Sequence, residues 1–241
     1  DQKFRCWNRT GHGPCDLHRS LKESCDVYYY EIPQRVGISR IAAMGERLGL
    51  GRVFDIGLEA QKPGLLPDPD WKRGALGKSW YDGETLLAGI GQGYVLSTPL
   101  QLAVMTAQLI SGRAVEPRLV RAEGDDGQSG QRFAKLEISP QFLVAIQRAM
   151  RAVVVEAGGT GKDASPRLSG VSIMGKTGTS QVTRLSGLRA QDELAWHHRD
   201  HALFVGSISD DRPRYAAAAI VEHGGSGGKV AAPLVRDILE D

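Results

Sequence analysis

The order of its local patterns constrains this chain most: capped helical segments come first, and short apolar segments around a polar turn come last. Thr98-Pro99 and Ser139-Pro140 are typical helix starts, because serine and threonine cap helices and proline fits the first helical position. Near the C-terminal end, 202–209 and 215–221 flank Asp210-Asp211-Arg212-Pro213, which predicts two strands joined by a turn. The sequence therefore predicts an α+β fold in which helices flank an antiparallel sheet.

Shorter signals complete this outline. They give four further assignments: a helix at 40–48 capped by Ser39, a closing helix at 230–239, a hairpin of 117–122 with 131–138, and an irregular loop at 61–83.

Composition fits one folded domain over residues 1–241. Of the 241 residues, 41% are apolar and 24% charged, which is typical of a globular protein with a hydrophobic core. The net charge of +2 is too small for a surface that neutralises nucleic-acid phosphates, so we expect no nucleic-acid partner. No apolar run reaches the roughly 20 residues of a membrane span.

The string Gly170 to Thr177 satisfies the P-loop pattern for nucleotide binding. Its context argues against that function, because a phosphate cradle needs a strand before it and a helix that starts at the lysine. The following Gly178-Thr179-Ser180 is a poor helix start. As a strand, the segment presents Lys176 and two hydroxyls that can bind a carboxylate, and an edge N–H that can face an oxyanion. By itself, the string is also typical of an ordinary edge strand that carries a lysine.

Several short strings occur together and in a fixed order. Ser24-Cys25-Asp26 comes first, Gly89 to Gly93 follows, Gly175-Lys176-Thr177-Gly178-Thr179 comes next, and Glu222 to Gly225 lies near the end. In this order they resemble the transpeptidase domain of class B penicillin-binding proteins, of the cell-elongation type. The resemblance covers nearly the whole chain. It implies the transpeptidase and serine β-lactamase-like fold, incomplete here at its N-terminal side.

The resemblance also implies an activity and roles for individual residues. Members of the family are peptidoglycan D,D-transpeptidases, which form an acyl-serine from D-Ala-D-Ala stem peptides. By resemblance, Ser24 passes protons to the leaving group, and Asp26 stands where many relatives have asparagine. Lys176 and Thr177 are expected to bind the substrate carboxylate or tune the serine pair. Gly178 leaves room for the donor peptide, and Thr179 supplies an oxyanion-hole N–H.

Partners and location follow from the same resemblance. They are the peptidoglycan stem peptide, β-lactam antibiotics, a membrane glycan polymerase and elongation-complex proteins. The expected place is the periplasmic face of the inner membrane, with an anchoring helix upstream of this chain.

The nucleophile of the family is not found where the resemblance requires it. The Ser-x-x-Lys motif should precede Ser24 by some tens of residues, but the only such string is Ser226-Gly227-Gly228-Lys229. Two glycines make a helical turn there unfavourable, so we interpret it as a linker. We expect a domain truncated at its N-terminus, inactive alone and without a penicillin adduct. The alternative is a non-catalytic ligand- or partner-binding piece of the same fold.

Metal-ligating residue types form two groups. Cys6, His12 and Cys25 are suitable zinc ligands, although their spacing is not that of a standard finger. A structural zinc is therefore possible, alongside the alternative of free or buried thiols, whereas catalysis requires no cofactor. His197 and His201 are four residues apart but lie in a polar loop, so a solvated loop is the preferred interpretation.

Overall fold

The computed structural model describes residues 4–120, 133–182 and 191–241. In the described residues, α-helices come first along the chain, three strands follow, and one α-helix closes it. The sheet is antiparallel with the order β1-β2-β3. The elements are α1 Leu17–Glu23, α2 Asp26–Val36, α3 Ile38–Arg47, α4 Pro69–Leu76, α5 Asp82–Gly89, α6 Pro99–Ser111, α7 Pro140–Val155, β1 Ser172–Ser180, β2 His201–Ser209, β3 Pro213–Val221 and α8 Ala232–Glu240. The predicted α+β class is confirmed.

The two helices with a cap and a proline form as predicted. The Thr98 hydroxyl accepts from the Gln101 N–H, and the Gln101 side chain accepts in return from the Thr98 N–H, which closes a capping box at the start of α6. Gly112 then ends this helix in the left-handed conformation. In the described part of the chain, no helix is long and apolar enough to cross a membrane.

Two local assignments are wrong. The loop predicted to be irregular at 61–83 contains α4, because Pro69 takes the first helical position and the Asp68 carboxylate caps the Trp71 N–H at 2.7 Å. The prolines therefore start a helix there. Helix α3 begins at Ile38, before Ser39, so Ser39 is not its cap. The predicted hairpin of 117–122 with 131–138 is described only at 117–120 and 133–138, and its turn lies outside the described residues. In the described part, Lys135 forms an isolated antiparallel bridge with Arg113, which lies outside the predicted first strand.

The loop around α4 is held by an enclosed ion pair. Lys72 is 1% exposed, and its ammonium bonds the Glu84 carboxylate. The ammonium also lies 4.5 Å from the centre of the Tyr81 ring and 6.0 Å from that of Trp80. These contacts join α4 to the start of α5.

Packing around the sheet brings distant segments together. Phe204 and Ile173 of the sheet share a buried core with Val154 of α7 and Val235 of α8. Helix α7 packs against both β1 and α1. The C-terminal end of α1 is therefore held beside β1, and this contact builds the site.

Candidate active site

Ser24 occupies a strained turn between α1 and α2. Its backbone is left-handed, with φ 54° and ψ 56°, a conformation that costs a non-glycine residue about 1–2 kcal/mol. The surroundings hold it there. The Cys25 N–H returns to the Ser20 carbonyl at 3.0 Å, and the Trp7 indole N–H donates to the Ser24 carbonyl at 2.9 Å. Strain of this kind clusters at functional sites and persists where neighbouring groups enforce it.

Lys176 reaches this turn from β1. Its ammonium donates to Ser24 Oγ at 2.5 Å, to the Thr177 carbonyl at 3.0 Å and to Thr177 Oγ1 at 3.4 Å. All three partners are uncharged. The ammonium lies deep in the protein although the residue keeps some exposed surface, and this burial lowers the pKa of Lys176 to about 8. The negative charge of Asp26 opposes the shift only in part.

Thr160 completes the cluster, and sequence reasoning missed it. Its hydroxyl lies 2.8 Å from Thr177 Oγ1 and 3.3 Å from Ser24 Oγ. In the sequence, residues 158–170 show only the pattern of a glycine-containing loop. The available signal was glycine on both sides of Thr160. A Cβ at Gly159 would lie 2.4 Å from the Val153 carbonyl oxygen, so only glycine lets the loop fold this tightly against α7.

Thr179 lies near the end of β1, and its backbone is contacted on the side of the strand away from β2. The Gln92 side chain donates to the Thr179 carbonyl at 2.8 Å. In an antiparallel strand the N–H and C=O of one residue point to the same side. The Thr179 N–H therefore also points to the side from which Gln92 approaches, as the predicted oxyanion donor requires. The neighbouring Gly178 faces a crowded sheet surface, where a Cβ would lie 3.2 Å from Leu203 Cβ.

Asp26 begins α2 and turns towards the N-terminal segment. Its carboxylate accepts the Trp7 backbone N–H at 2.8 Å. Burial raises the pKa of Asp26, and the Trp7 hydrogen bond and the Lys176 charge oppose that shift. The structure thus brings Ser24, Lys176 and Thr177 into direct contact, while Asp26 acts on Lys176 through space.

The three predicted metal ligands also converge. The sulfurs of Cys6 and Cys25 and a ring nitrogen of His12 lie within 4.8 Å of one another, and Cys6 Sγ is 3.4 Å from His12 Nδ1. Zinc at about 2.0–2.3 Å from each ligand would place such atoms about 3.5 Å apart, which is close to the spacing of Cys6 Sγ and His12 Nδ1. Structural zinc takes four ligands, so these three residues would supply all but one. Trp7 links this cluster to the serine turn, since its indole packs edge-on against His12 with ring centres 5.6 Å apart.

The other candidate strings do not form comparable sites in the described residues. Lys176 lies inside β1 and no helix starts at it, so the P-loop reading is excluded. Lys229 pairs with the Asp163 carboxylate at 3.2 Å, and its side chain is 77% exposed. The interpretation of Ser226 to Lys229 as a linker without a helical turn is wrong, because Gly227–Ala231 forms a short π-helical turn that leads directly into α8. His201 Nδ1 accepts the His223 backbone N–H at 2.9 Å. Among the described residues, His197 and His201 belong to no cluster of three side chains that could hold a metal ion.

Comparison with known proteins gives a consistent result. The penicillin binding protein transpeptidase domain family matches residues 1–240. Among curated relatives, the peptidoglycan D,D-transpeptidase MrdA of Acinetobacter baumannii is 35% identical over 96% of this chain and 36% of its own length. MrdA of Escherichia coli K12 is 31% identical over 100% of this chain and 39% of its own. The chain thus spans less than half the length of these relatives.

Solved structures agree in fold. PBP2 of Pseudomonas aeruginosa, in complex with WCK 5153, has a TM-score of 0.82 and 36% identity, over 100% of this chain and 52% of that one. PBP2 of Helicobacter pylori, in complex with MreC, has a TM-score of 0.83 and 30% identity, over 98% of this chain and 41% of that one. The resemblance found in the sequence is therefore confirmed, and this chain belongs to the penicillin-binding protein transpeptidase domain family.

Proposed function

We propose that this chain supplies the proton-transfer and carboxylate-binding part of a peptidoglycan D,D-transpeptidase site. The observation that carries the proposal is the Lys176 ammonium, enclosed among uncharged groups and bonded to the Ser24 hydroxyl. A lysine with a pKa near 8 can give and take protons close to neutral pH. The alternative, a non-catalytic binding piece of the same fold, gives no reason for such a lysine.

The proposed reaction is acyl transfer through a serine ester. A serine nucleophile attacks the carbonyl carbon of the penultimate D-Ala, its hydroxyl proton passes to the base lysine of the family's Ser-x-x-Lys motif, and the bond to the terminal D-Ala nitrogen breaks. Ser24 gives its hydroxyl proton to that leaving amine, and Lys176 replaces the proton on Ser24. The Thr177 hydroxyl binds the terminal carboxylate, and the Thr179 N–H stabilises the oxyanion that forms during attack. An amine then takes the acyl group from the serine: its proton returns through Ser24 to Lys176, and the base lysine returns its proton to the serine oxygen.

Penicillin acylation tests this function on the intact protein. The family motif Ser-x-x-Lys occurs within these 241 residues only as Ser226 to Lys229, so the experiment must include any flanking residues. We expect a mass increase of one penicillin in the wild type and in Ser226→Ala, and acylation at least about 100-fold slower in Ser24→Ala. No adduct on the wild type would contradict the function. An adduct lost in Ser226→Ala would make that serine the nucleophile.

We also propose that Cys6, His12 and Cys25 hold a structural zinc. The support is their convergence and the enclosure of the set, with Cys25 5% and His12 9% exposed. Zinc would bind thiolates and a neutral imidazole there, and would fix the segment that carries Trp7 against the Ser24 turn. It would take no part in the reaction itself.

Metal analysis of protein purified in metal-free buffer tests the zinc site. We expect close to one zinc per chain in the wild type and in Cys15→Ser, which serves as the matched control because Cys15 lies near Cys25 but outside the set. His12→Gln and Cys25→Ser should lose the metal. Zinc near zero in the wild type, or equal zinc in all four proteins, would refute the site.

Partners and location are proposed from the relatives. One solved relative, 32% identical with a TM-score of 0.74, comes from a structure titled as the coordination of polymerization and crosslinking by a peptidoglycan synthase complex. We infer that the intact protein works at the periplasmic face of the inner membrane, beside a glycan polymerase and elongation proteins. Co-purification of such a polymerase with the intact protein from membranes would support this, and recovery from the cytosol alone would contradict it.

A further inference from the structure

Thr160 is the only described hydroxyl side chain that contacts both Ser24 and Thr177. These two residues come from different elements, the α1–α2 turn and β1. The Thr160 backbone is fixed independently of its hydroxyl, because its N–H donates to the Lys22 carbonyl at 3.2 Å. Its own carbonyl is packed so closely that a Cβ at Gly228 would meet it at 2.2 Å.

A count of donors and acceptors allows a hydrogen bond in which the Ser24 hydroxyl donates to Thr160. A hydroxyl has one proton to donate and two lone pairs that accept. The Lys176 ammonium donates to Ser24 Oγ, which leaves the Ser24 proton for another acceptor until a leaving group is bound, and Thr160 Oγ1 at 3.3 Å is in reach. Thr160 can then donate to Thr177 Oγ1 at 2.8 Å, which is shorter than its alternative, the Lys22 carbonyl at 3.5 Å.

Thr177 is the last hydroxyl in this series of hydrogen bonds, and it keeps a proton to donate. When Thr177 Oγ1 accepts from Thr160, it also receives a longer contact from the Lys176 ammonium at 3.4 Å. Both of its lone pairs are then engaged, and its single proton remains to be donated. A carboxylate, which only accepts hydrogen bonds, is the matching ligand for that proton.

We propose that Thr160 is a positioning residue that orders the hydroxyl protons of Ser24 and Thr177, so that Thr177 offers its proton to the terminal carboxylate of the substrate. The inference rests on the proposed transpeptidase function, since that function gives Ser24 and Thr177 their roles. Thr160 acts on the substrate only through Ser24 and Thr177, whose hydroxyls it contacts at 3.3 and 2.8 Å. Without its hydroxyl, the Ser24 proton loses its acceptor, and Thr177 is free to accept rather than donate.

Two variants of Thr160 separate this role from packing. Thr160→Val keeps the shape and removes the hydroxyl, whereas Thr160→Ser keeps the hydroxyl and removes the methyl group. The intact protein is mixed with a penicillin, and the acylation rate is followed against penicillin concentration to separate binding from the acylation step. We expect Thr160→Val to lower the second-order rate constant of acylation, which combines binding and acylation, by about tenfold or more. Thr160→Ser should remain within about threefold of the wild type.

The outcomes distinguish the inference from the function beneath it. Wild-type acylation with no effect in Thr160→Val overturns the role of Thr160 and leaves the proposed function standing. Equal losses in the Val and Ser variants show that any change of the Thr160 side chain impairs the site, whether or not the hydroxyl is kept, which also overturns the inference. Absence of acylation in the wild type refutes the proposed function instead. If the Val variant does not fold, Thr160→Ala is measured in its place against the same Ser variant.

Discussion

Two enclosed lysines in this protein have opposite environments. The Lys72 ammonium bonds the Glu84 carboxylate and lies over the Tyr81 ring, so its positive charge is compensated. The Lys176 ammonium bonds the Ser24 hydroxyl and groups of Thr177, all of them uncharged. Burial without a bonded anion favours the neutral amine, and the pKa of Lys176 falls to about 8.

The difference separates a structural lysine from a chemical one. An ion pair such as that of Lys72 with Glu84 fixes two segments against each other, because each charge is compensated by the group that it bonds. Lys176 is kept at a cost in stability, because an unpaired ammonium loses solvation on folding. In the proposed function, that cost has a use, because the lysine exchanges protons with Ser24. Removing each lysine should therefore have opposite consequences for stability and for activity.

The largest effect is expected on the reaction rate of Lys176→Met. The variant lacks the group that returns a proton to Ser24, and general acid–base contributions are typically about 10²- to 10⁴-fold. We expect penicillin acylation of the intact protein to slow by at least about 100-fold, measured by mass spectrometry over time. Lys229→Met is the matched control, since that lysine is exposed, and should keep the wild-type rate. A rate within threefold of wild type in Lys176→Met would remove Lys176 from the mechanism.

The next effect is expected on the stability of the Lys72 pair. Glu84→Gln leaves the Lys72 charge enclosed without its anion, and breaking a buried pair costs about 3–5 kcal/mol. Urea unfolding should show a loss of that size. Glu116→Gln is the control, because its pair with Arg52 is about half exposed and is expected to contribute about 1 kcal/mol or less. Equal losses in both variants would show that enclosure of Lys72 has no energetic consequence.

A smaller effect is expected on the pH dependence of folding stability in Lys176→Met. The folded-state pKa of about 8 lies below the ordinary 10.5, so the unfolded chain binds this proton more tightly. Wild-type stability from this group therefore rises as pH increases from 8 to 10.5, and is lowest below pH 8. The methionine variant should be more stable than wild type at pH 7, and the gap should shrink towards pH 10. A gap independent of pH would contradict the lowered pKa.

Much of this site could be predicted from local patterns, and the remainder depends on tertiary packing. The starts of α6 and α7 follow from a cap and a proline, which are local signals. Ser24 and Lys176 were identified through motif order, which names residues but gives no distances. Their contact depends on α7 packing against both α1 and β1.

The residues that sequence reasoning missed share one property. Thr160 lies in a glycine-rich loop with no periodicity, and its role arises only because two distant segments meet there. The α4 helix was missed for a different reason: the proline-rich segment 61–83 shows little periodicity and was assigned as a loop, although Pro69 occupies the first helical turn, where proline is favoured. The Lys72 pair with Glu84 joins α4 to α5, and neither helix was predicted.

The smallest effect tests the aromatic part of the Lys72 environment. The Tyr81 ring centre is 4.5 Å from the Lys72 ammonium, and a cation–π contact of this kind contributes about 0.5–1 kcal/mol at a partly exposed site. Tyr81→Leu should lower the free energy of unfolding by about that amount, whereas Tyr81→Phe keeps the ring and should match the wild type. The comparison is repeated in Glu84→Gln, where Lys72 has lost its anion. There the ring is the remaining partner for the charge, so Tyr81→Leu should cost more than in the wild type. An equal cost in both backgrounds would show that the ring contributes packing rather than attraction to the ammonium, and would leave the carboxylate as the feature that separates Lys72 from Lys176.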